Sequence, residues 1–194
     1  MKNKEIINSL ENLSSACIKL KEDNHFLSKY HTWIDRFINT IDTNGTIFFC
    51  GNGGSFADSQ HLATELVVRF EASRRPIKAL CLGSNQSNIT AIGNDMSFDQ
   101  IFSRELASLY KNNDTVFILS TSGNSPNVIK VAEYVNNMGD TAIALLGKGG
   151  GNLKDITDNF VIPYDKTSLI QELQILIGHC ICKEIEEHIL KSPS

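Results

Sequence analysis

Apolar runs at residues 46–50, 78–82, 115–119, 141–146 and 160–162 are too short for helices, and stretches of helical periodicity lie between them, at 55–70, 99–110 and 125–137. Short runs that are apolar throughout belong in a sheet covered on both faces. Strands that alternate with helices join in parallel through crossovers. The pattern predicts an α/β fold, a doubly wound five-stranded parallel sheet, with ligands at the carboxyl ends of the strands.

The first run stops at a glycine cluster, Gly51-Asn52-Gly53-Gly54-Ser55, and helical spacing starts at once. Ser55 stands where an N-cap belongs, and Ala63, Leu66, Val67 and Phe70 form the apolar stripe. Backbone amides of such a loop, at a helix N-terminus, can cradle an anionic ligand. His61, Glu65 and Arg69 make a polar row on the same helix at i, i+4 and i+8. A second loop, Ser120-Thr121-Ser122-Gly123-Asn124-Ser125, follows the third run directly, with Ser125 as N-cap and Pro126 in the first turn of the next helix. The hydroxyls of Ser120, Thr121, Ser122 and Ser125 plus free amides make a neutral phosphate cradle. A cluster of this composition is by itself an ordinary turn. Its place at the end of a strand makes it a candidate phosphate site.

Residues 3–42 read as two helices. Ile6, Leu10, Leu13, Cys17 and Leu20 form a narrow a/d seam suited to pairing with a helix of another subunit. Tyr30, Trp33, Ile34, Phe37, Ile38 and Ile41 form a second stripe, ended by Gly45. A last helix, 167–190, is apolar almost all round over 173–181 and is therefore expected to be buried; Gln171, Gln174 and His179 are its polar exceptions. A buried histidine is more often hydrogen-bonded core than catalyst, but Glu65 and His61 offer it a site. Residues 72–76 and 147–152 read as surface loops.

With 194 residues, 41% hydrophobic and 21% charged, the chain is expected to be one domain, with residues 1–44 as a helical arm used in oligomerisation. A net charge of −4 without a Lys/Arg block argues against a nucleic-acid face. No leader and no apolar run of membrane-spanning length is visible, so the expected location is the cytoplasm, with no membrane partner. The five cysteines fit reduced, buried thiols, with Cys50, Cys81, Cys180 and Cys182 inside apolar runs. Cys180 and Cys182, two apart on a helix, point about 200° from each other and cannot share an ion.

GNGGS at 51–55, His61 and Glu65 one turn apart, Gly93-Asn94-Asp95, STSGNS at 120–125, and Gln171-Glu172 with His179 together resemble the sugar isomerase (SIS) domain family. Within it the chain is similar to the phosphoheptose isomerases over essentially its whole length. That resemblance implies a SIS, flavodoxin-like fold and an aldose–ketose isomerisation. Sedoheptulose 7-phosphate would become D-glycero-D-manno-heptose 7-phosphate, the first step toward activated heptose for lipopolysaccharide, capsule or similar surface glycans. It further implies that Ser120, Thr121, Ser122 and Ser125 hold the phosphate. Asn52, Gly53, Gly54, Ser55, Asn94, Asp95 and Gln171 would line the sugar. Glu65 and His179 would act as base and acid. A zinc ion on His61, Glu65, Gln171 and His179, and a homotetramer, are also family properties. Two positions depart from the pattern: Ser168 stands where some relatives carry an aspartate, and Gln174 where many carry histidine.

Moving a carbonyl between neighbouring carbons through an enediol, the reaction the resemblance implies, needs a carboxylate near one carbon and a proton donor near the oxygens, and Glu65 and His179 are of the types those roles require. In that implied reaction a divalent ion would stabilise the enediolate. Gln171 and His179 stand eight residues apart, about 12 Å along one helix, so the expected site is completed at a subunit interface, with one of the two donated by a neighbour. The rival reading is a non-catalytic relative that binds the replication initiator DnaA, and the intact His61, Glu65, Gln171 and His179 set favours the enzyme. A DNA-binding regulator would need a basic helix-turn-helix, which the N-terminal arm lacks.

Overall fold

The computed structural model describes residues 3–191. Strands β1 (Ile47–Cys50), β2 (Ala79–Cys81), β3 (Thr115–Ser120), β4 (Ile143–Leu146) and β5 (Asp158–Val161) form one parallel sheet in the order β2-β1-β3-β4-β5. Helices α1 (Lys4–Glu22), α2 (Asn24–Asp42), α3 (Gly54–Val67), α4 (Gln86–Asp95), α5 (Ile101–Leu109), α6 (Pro126–Asn137) and α7 (Thr167–Lys191) cover it. Successive strand residues face opposite sides, which divides the core in two. Ile47, Phe49, Phe117, Leu119, Ile143 and Leu145 pack with α2, α3 and α7. Phe48, Cys50, Val116, Ile118, Ala144 and Leu146 pack with α5 and α6. The doubly wound parallel sheet expected from the alternating runs is the one observed.

Helix α2 follows its stripe. Trp33 and Phe37 are fully buried, and Phe37 meets Phe117 edge to face at 5.6 Å. Trp33 Nε1 donates to Asp158 Oδ2 at 3.0 Å, and Lys29 pairs with the same carboxylate, pinning α2 to the start of β5. The left-handed residue after α2 is Asn44, at φ 61°, in place of the expected Gly45; an Asn side chain tolerates that conformation. The seam of α1 is divided. Leu13, Cys17 and Leu20 pack on the core, whereas Ile6 and Leu10 stand 56% and 59% exposed.

Two sequence expectations change, and one helix is present that the sequence did not show. Helix α7 is not buried all round: Leu176 and Cys180 are exposed, and with Cys17, Leu20, Leu27 and Tyr30 they line a groove of about 390 Å³ between α1, α2 and α7. The thiols are free, but only Cys50, Cys81 and Cys182 are buried; burial pushes Cys81 and Cys182 up to about 12. Helix α4 had no sequence signal, because it buries no residue and begins on the Asn85 side chain, which accepts the Ser87 N–H at 3.0 Å. Among the described residues no helix is long and apolar enough to cross a membrane.

Glu186, on α7, is fully buried. Its carboxylate accepts the backbone N–H groups of Phe70 at 3.1 Å and of Glu71 and Ala72 at 2.9 Å each. Arg74 Nε lies 3.5 Å from the same carboxylate, with its side chain 1% exposed. Burial alone would raise the Glu186 pKa, but the three amides and the Arg74 charge overcome it and hold it below the usual carboxylate range. A carboxyl depressed on folding contributes stability that is present above its unfolded pKa, about 4.3, and is lost as pH falls through the folded value. Thermal melts from about pH 5 down to about pH 3 are therefore expected to fall steeply for the parent and less steeply for Glu186→Gln, which starts lower. Parallel slopes would remove Glu186 as a source of acid sensitivity.

Candidate active site

The order β2-β1-β3 places the ends of β1 and β3 side by side while their helices leave to opposite faces, and ligands of open α/β sheets bind at such a switch point. Both glycine-rich loops meet here. After β1, Gly53 takes φ 57° and ψ −120° as the N-cap of α3, a backbone state open to glycine. The helix thus begins at Gly54, and Ser55 is not its cap. Ser55 lies buried in the first turn, where its carbonyl accepts the Ser59 hydroxyl at 2.7 Å.

After β3, the loop 120–125 is internally braced. Ser120 Oγ accepts the Gly123 N–H at 3.0 Å, and Ser122 Oγ accepts the Asn124 N–H at 3.2 Å. Thr121, Ser122 and Ser125 are half-buried, and Ser125 occupies the N-cap position of α6 without a side-chain capping bond. The 147–152 stretch, expected as a plain surface loop, packs against this one: Leu153 N–H donates to Gly123 O at 3.0 Å, and Asn152 N–H to Asn124 Oδ1 at 3.0 Å.

Asn52 and Asn127 join the two loops. Each amide donates to the other's oxygen, at 2.8 and 2.9 Å, and Asn127 is buried. The side chain expected to line a sugar therefore holds the loop after β1 against the start of α6. Asn127 carried no sequence signal, since nothing distinguishes an asparagine in a first helical turn from a solvent-facing one.

On the next turns of α3 stand His61 and Glu65, with His61 Nε2 3.5 Å from Glu65 Oε1. Across from them α7 brings His179, whose Nε2 lies 2.8 Å from His61 Nε2. The rings meet edge on at 5.1 Å, and the Phe70 ring lies tilted against His179 at 5.5 Å. His179 is half-buried, not a core residue. Burial lowers its pKa, His61 lowers it further, and Glu65 and Asp58 oppose both, so the ring is neutral at neutral pH. Asp58, one turn before His61, has its own carboxyl raised by burial against the pull of both histidines. Sequence reasoning missed it, although its i, i+3 spacing to His61 was available.

His61, Glu65 and His179 thus assemble within one chain, so His179 does not have to come from a neighbour. Gln171, two turns earlier on α7, lies instead so close over Gly54 that a Cβ there would overlap its amide. Asn94 and Asp95 end α4 in the open, joined by a 2.7 Å hydrogen bond, and Ser168 is exposed. Arg69 lies beyond the last turn of α3 and is exposed, off the expected row. Gln174 is buried and donates to Leu145 O at 2.7 Å.

As donors, two imidazole nitrogens, a carboxylate and an amide oxygen suit zinc. The Nε2 atoms of His61 and His179 face each other at 2.8 Å, so the set fits in type. Among the described residues no group of three or more His, Cys, Asp or Glu stands at metal-holding spacing; here the histidines bond each other.

Comparison with known proteins bears on the whole arrangement. The family described as SIS domain matches residues 27–147. Phosphoheptose isomerase of Akkermansia muciniphila is 43% identical over 152 residues, 78% of this chain and 80% of that protein. That of Dechloromonas aromatica is 41% identical over 180 residues, 91% and 92% of the two. Among solved structures, a phosphoheptose isomerase from Neisseria gonorrhoeae superposes with TM-score 0.88 at 29% identity, covering 96% of this chain and 100% of the other. One from Francisella tularensis superposes with TM-score 0.87 at 31% identity, with the same coverage.

Proposed function

The chain belongs to the SIS domain family and within it to the phosphoheptose isomerases, and from that premise we propose that it converts sedoheptulose 7-phosphate to D-glycero-D-manno-heptose 7-phosphate, for activated heptose of surface glycans. The observation that carries the reading is the meeting of His61, Glu65 and His179 beside two glycine-rich loops at the switch point. In this reading the loop 120–125 takes the phosphate through the hydroxyls of Thr121, Ser122 and Ser125 and the α6 N-terminus, while Ser120 holds the loop's own shape. The amides of Gly53 and Gly54, with Ser55, Gln171, Asn94 and Asp95, meet the sugar. Glu65 removes the proton from one carbon and returns it to the neighbour, and His179 moves the proton between the two oxygens.

Zinc would be held by His61, Glu65, Gln171 and His179, and the chemistry it supplies when bound is polarisation of the carbonyl. The apolar residues left open on α1, Ile6, Ile7, Leu10 and Ile18, suit a homotetramer built on that arm. The test is to incubate the protein with sedoheptulose 7-phosphate, before and after chelation, and follow the aldose. Turnover that chelation removes and zinc restores is expected. Turnover indifferent to chelation overturns the zinc assignment, and no turnover with any divalent ion overturns the substrate assignment.

A further inference from the structure

The buried pair of Arg74 and Glu186 touches both elements that carry the catalytic side chains. Glu186 sits two turns beyond His179 on α7, and its carboxylate gathers the amides of Phe70, Glu71 and Ala72. From the other side, Arg74 Nη2 donates to Glu65 O at 2.7 Å and Nη1 to Leu66 O at 2.8 Å and to Arg75 O at 3.0 Å. Those first two carbonyls belong to the last turn of α3, where helical donors run out and a positive charge is favoured. One guanidinium therefore fixes the backbone of Glu65. Its partner carboxylate fixes the amide of Phe70, whose ring lies against His179 at 5.5 Å.

A buried ion pair is a weak source of net stability, because desolvation offsets the attraction. What this pair supplies is geometry. Only a forked cation can hold both carbonyls while facing a carboxylate, and only a carboxylate can accept three amides with its two oxygens. We propose that Arg74 and Glu186 are positioning residues for the isomerisation, setting the placement of the Glu65 carboxylate against the His179 ring. This rests on Glu65 and His179 acting as base and acid. A displacement of about 1 Å in such a site costs on the order of 100-fold in rate.

The experiment takes the full chain with Glu186→Gln and Arg74→Lys, two changes that keep size or charge but lose the shared geometry. Kinetics with sedoheptulose 7-phosphate are read beside the ring signals of the five histidines in nuclear magnetic resonance. Expected is a kcat lowered about 10- to 100-fold with KM within about twofold. The His61 and His179 signals move, while those of His25 and His31, on α2, stay in place. A folded variant with kcat within twofold of the parent and unmoved His179 signals overturns the proposal. Should Glu186→Gln not fold, Arg74→Lys is judged by the same criteria. If the parent itself does not turn over the substrate, the substrate assignment falls, and the ring signals alone decide the positioning.

Discussion

Glu65→Gln is expected to lower kcat by about 100- to 10,000-fold while the protein stays folded and its KM changes little. The amide keeps the size of the carboxylate, and the side chain is only 19% exposed, so the substitution changes chemistry more than packing. Interconverting an aldose and a ketose takes a proton off carbon, and a neutral amide cannot accept it. Substrate affinity rests in this reading on the loop 120–125 and the amides after β1. The His61 Nε2 atom lies 3.5 Å from the Glu65 carboxylate and 2.8 Å from His179, so the same change also weakens a zinc site built there. Metal content measured on the purified variant separates the two effects. A variant that keeps its zinc but has lost turnover and substrate–solvent proton exchange identifies Glu65 as the base. Activity within tenfold of the parent would give that role to another group, and Asp58, the remaining carboxyl near both histidines, would be the first to replace.

The sheet was legible because β1, β3 and β4 are short, buried throughout and followed by turn residues, a pattern that tertiary context has little room to reinterpret, whereas β5 begins on Asp158 and Asn159, two residues before its apolar run. The loops after β1 and β3 were legible for the same reason, by position. What the sequence hid is whatever depends on a partner far along the chain. Glu186 bonds to amides more than 100 residues away, and a glutamate near the end of a helix reads as a solvent-facing charge. Asn52 reads as a ligand donor until Asn127 is seen 2.8 Å from it. Ser55 reads as a cap because serine so often is one, yet the positive φ of Gly53 starts α3 without a side chain. Helix α4 shows the opposite failure, since Ile89 and Ile92 pack only partly against the core and leave no stripe to count. His179 stood out as a polar break in an apolar helix, and its own α7 brings it to His61; its straight-helix distance from Gln171 said nothing of that meeting.

Gly123→Ala is expected to raise KM for the sugar phosphate by more than about tenfold, the consequence of a backbone clash that no rotamer relieves. Gly123 has φ +64°, and a Cβ there would overlap the carbonyl of Gly150. Both are backbone groups: the Leu153 N–H on Gly123 O ties the two loops together, and the Ser120 Oγ that accepts the Gly123 N–H braces the first from within, each at 3.0 Å. Relief therefore requires the loop 120–125 to move off its brace, carrying Thr121, Ser122 and Ser125 with it. The left-handed conformation alone costs alanine about 1–3 kcal/mol, so a control must share the strain without the clash. Gly139 supplies it, with φ +81° and nothing within 4 Å of the place a Cβ would take. Gly139→Ala is expected to lower Tm with KM unchanged, and Gly123→Ala to lower Tm further and to weaken competition by inorganic phosphate as well. If Gly123→Ala bound substrate and inorganic phosphate as the parent does, the loop after β3 would not be the phosphate site, and the anion would have to be sought on the amides of Gly53 and Gly54 at the start of α3.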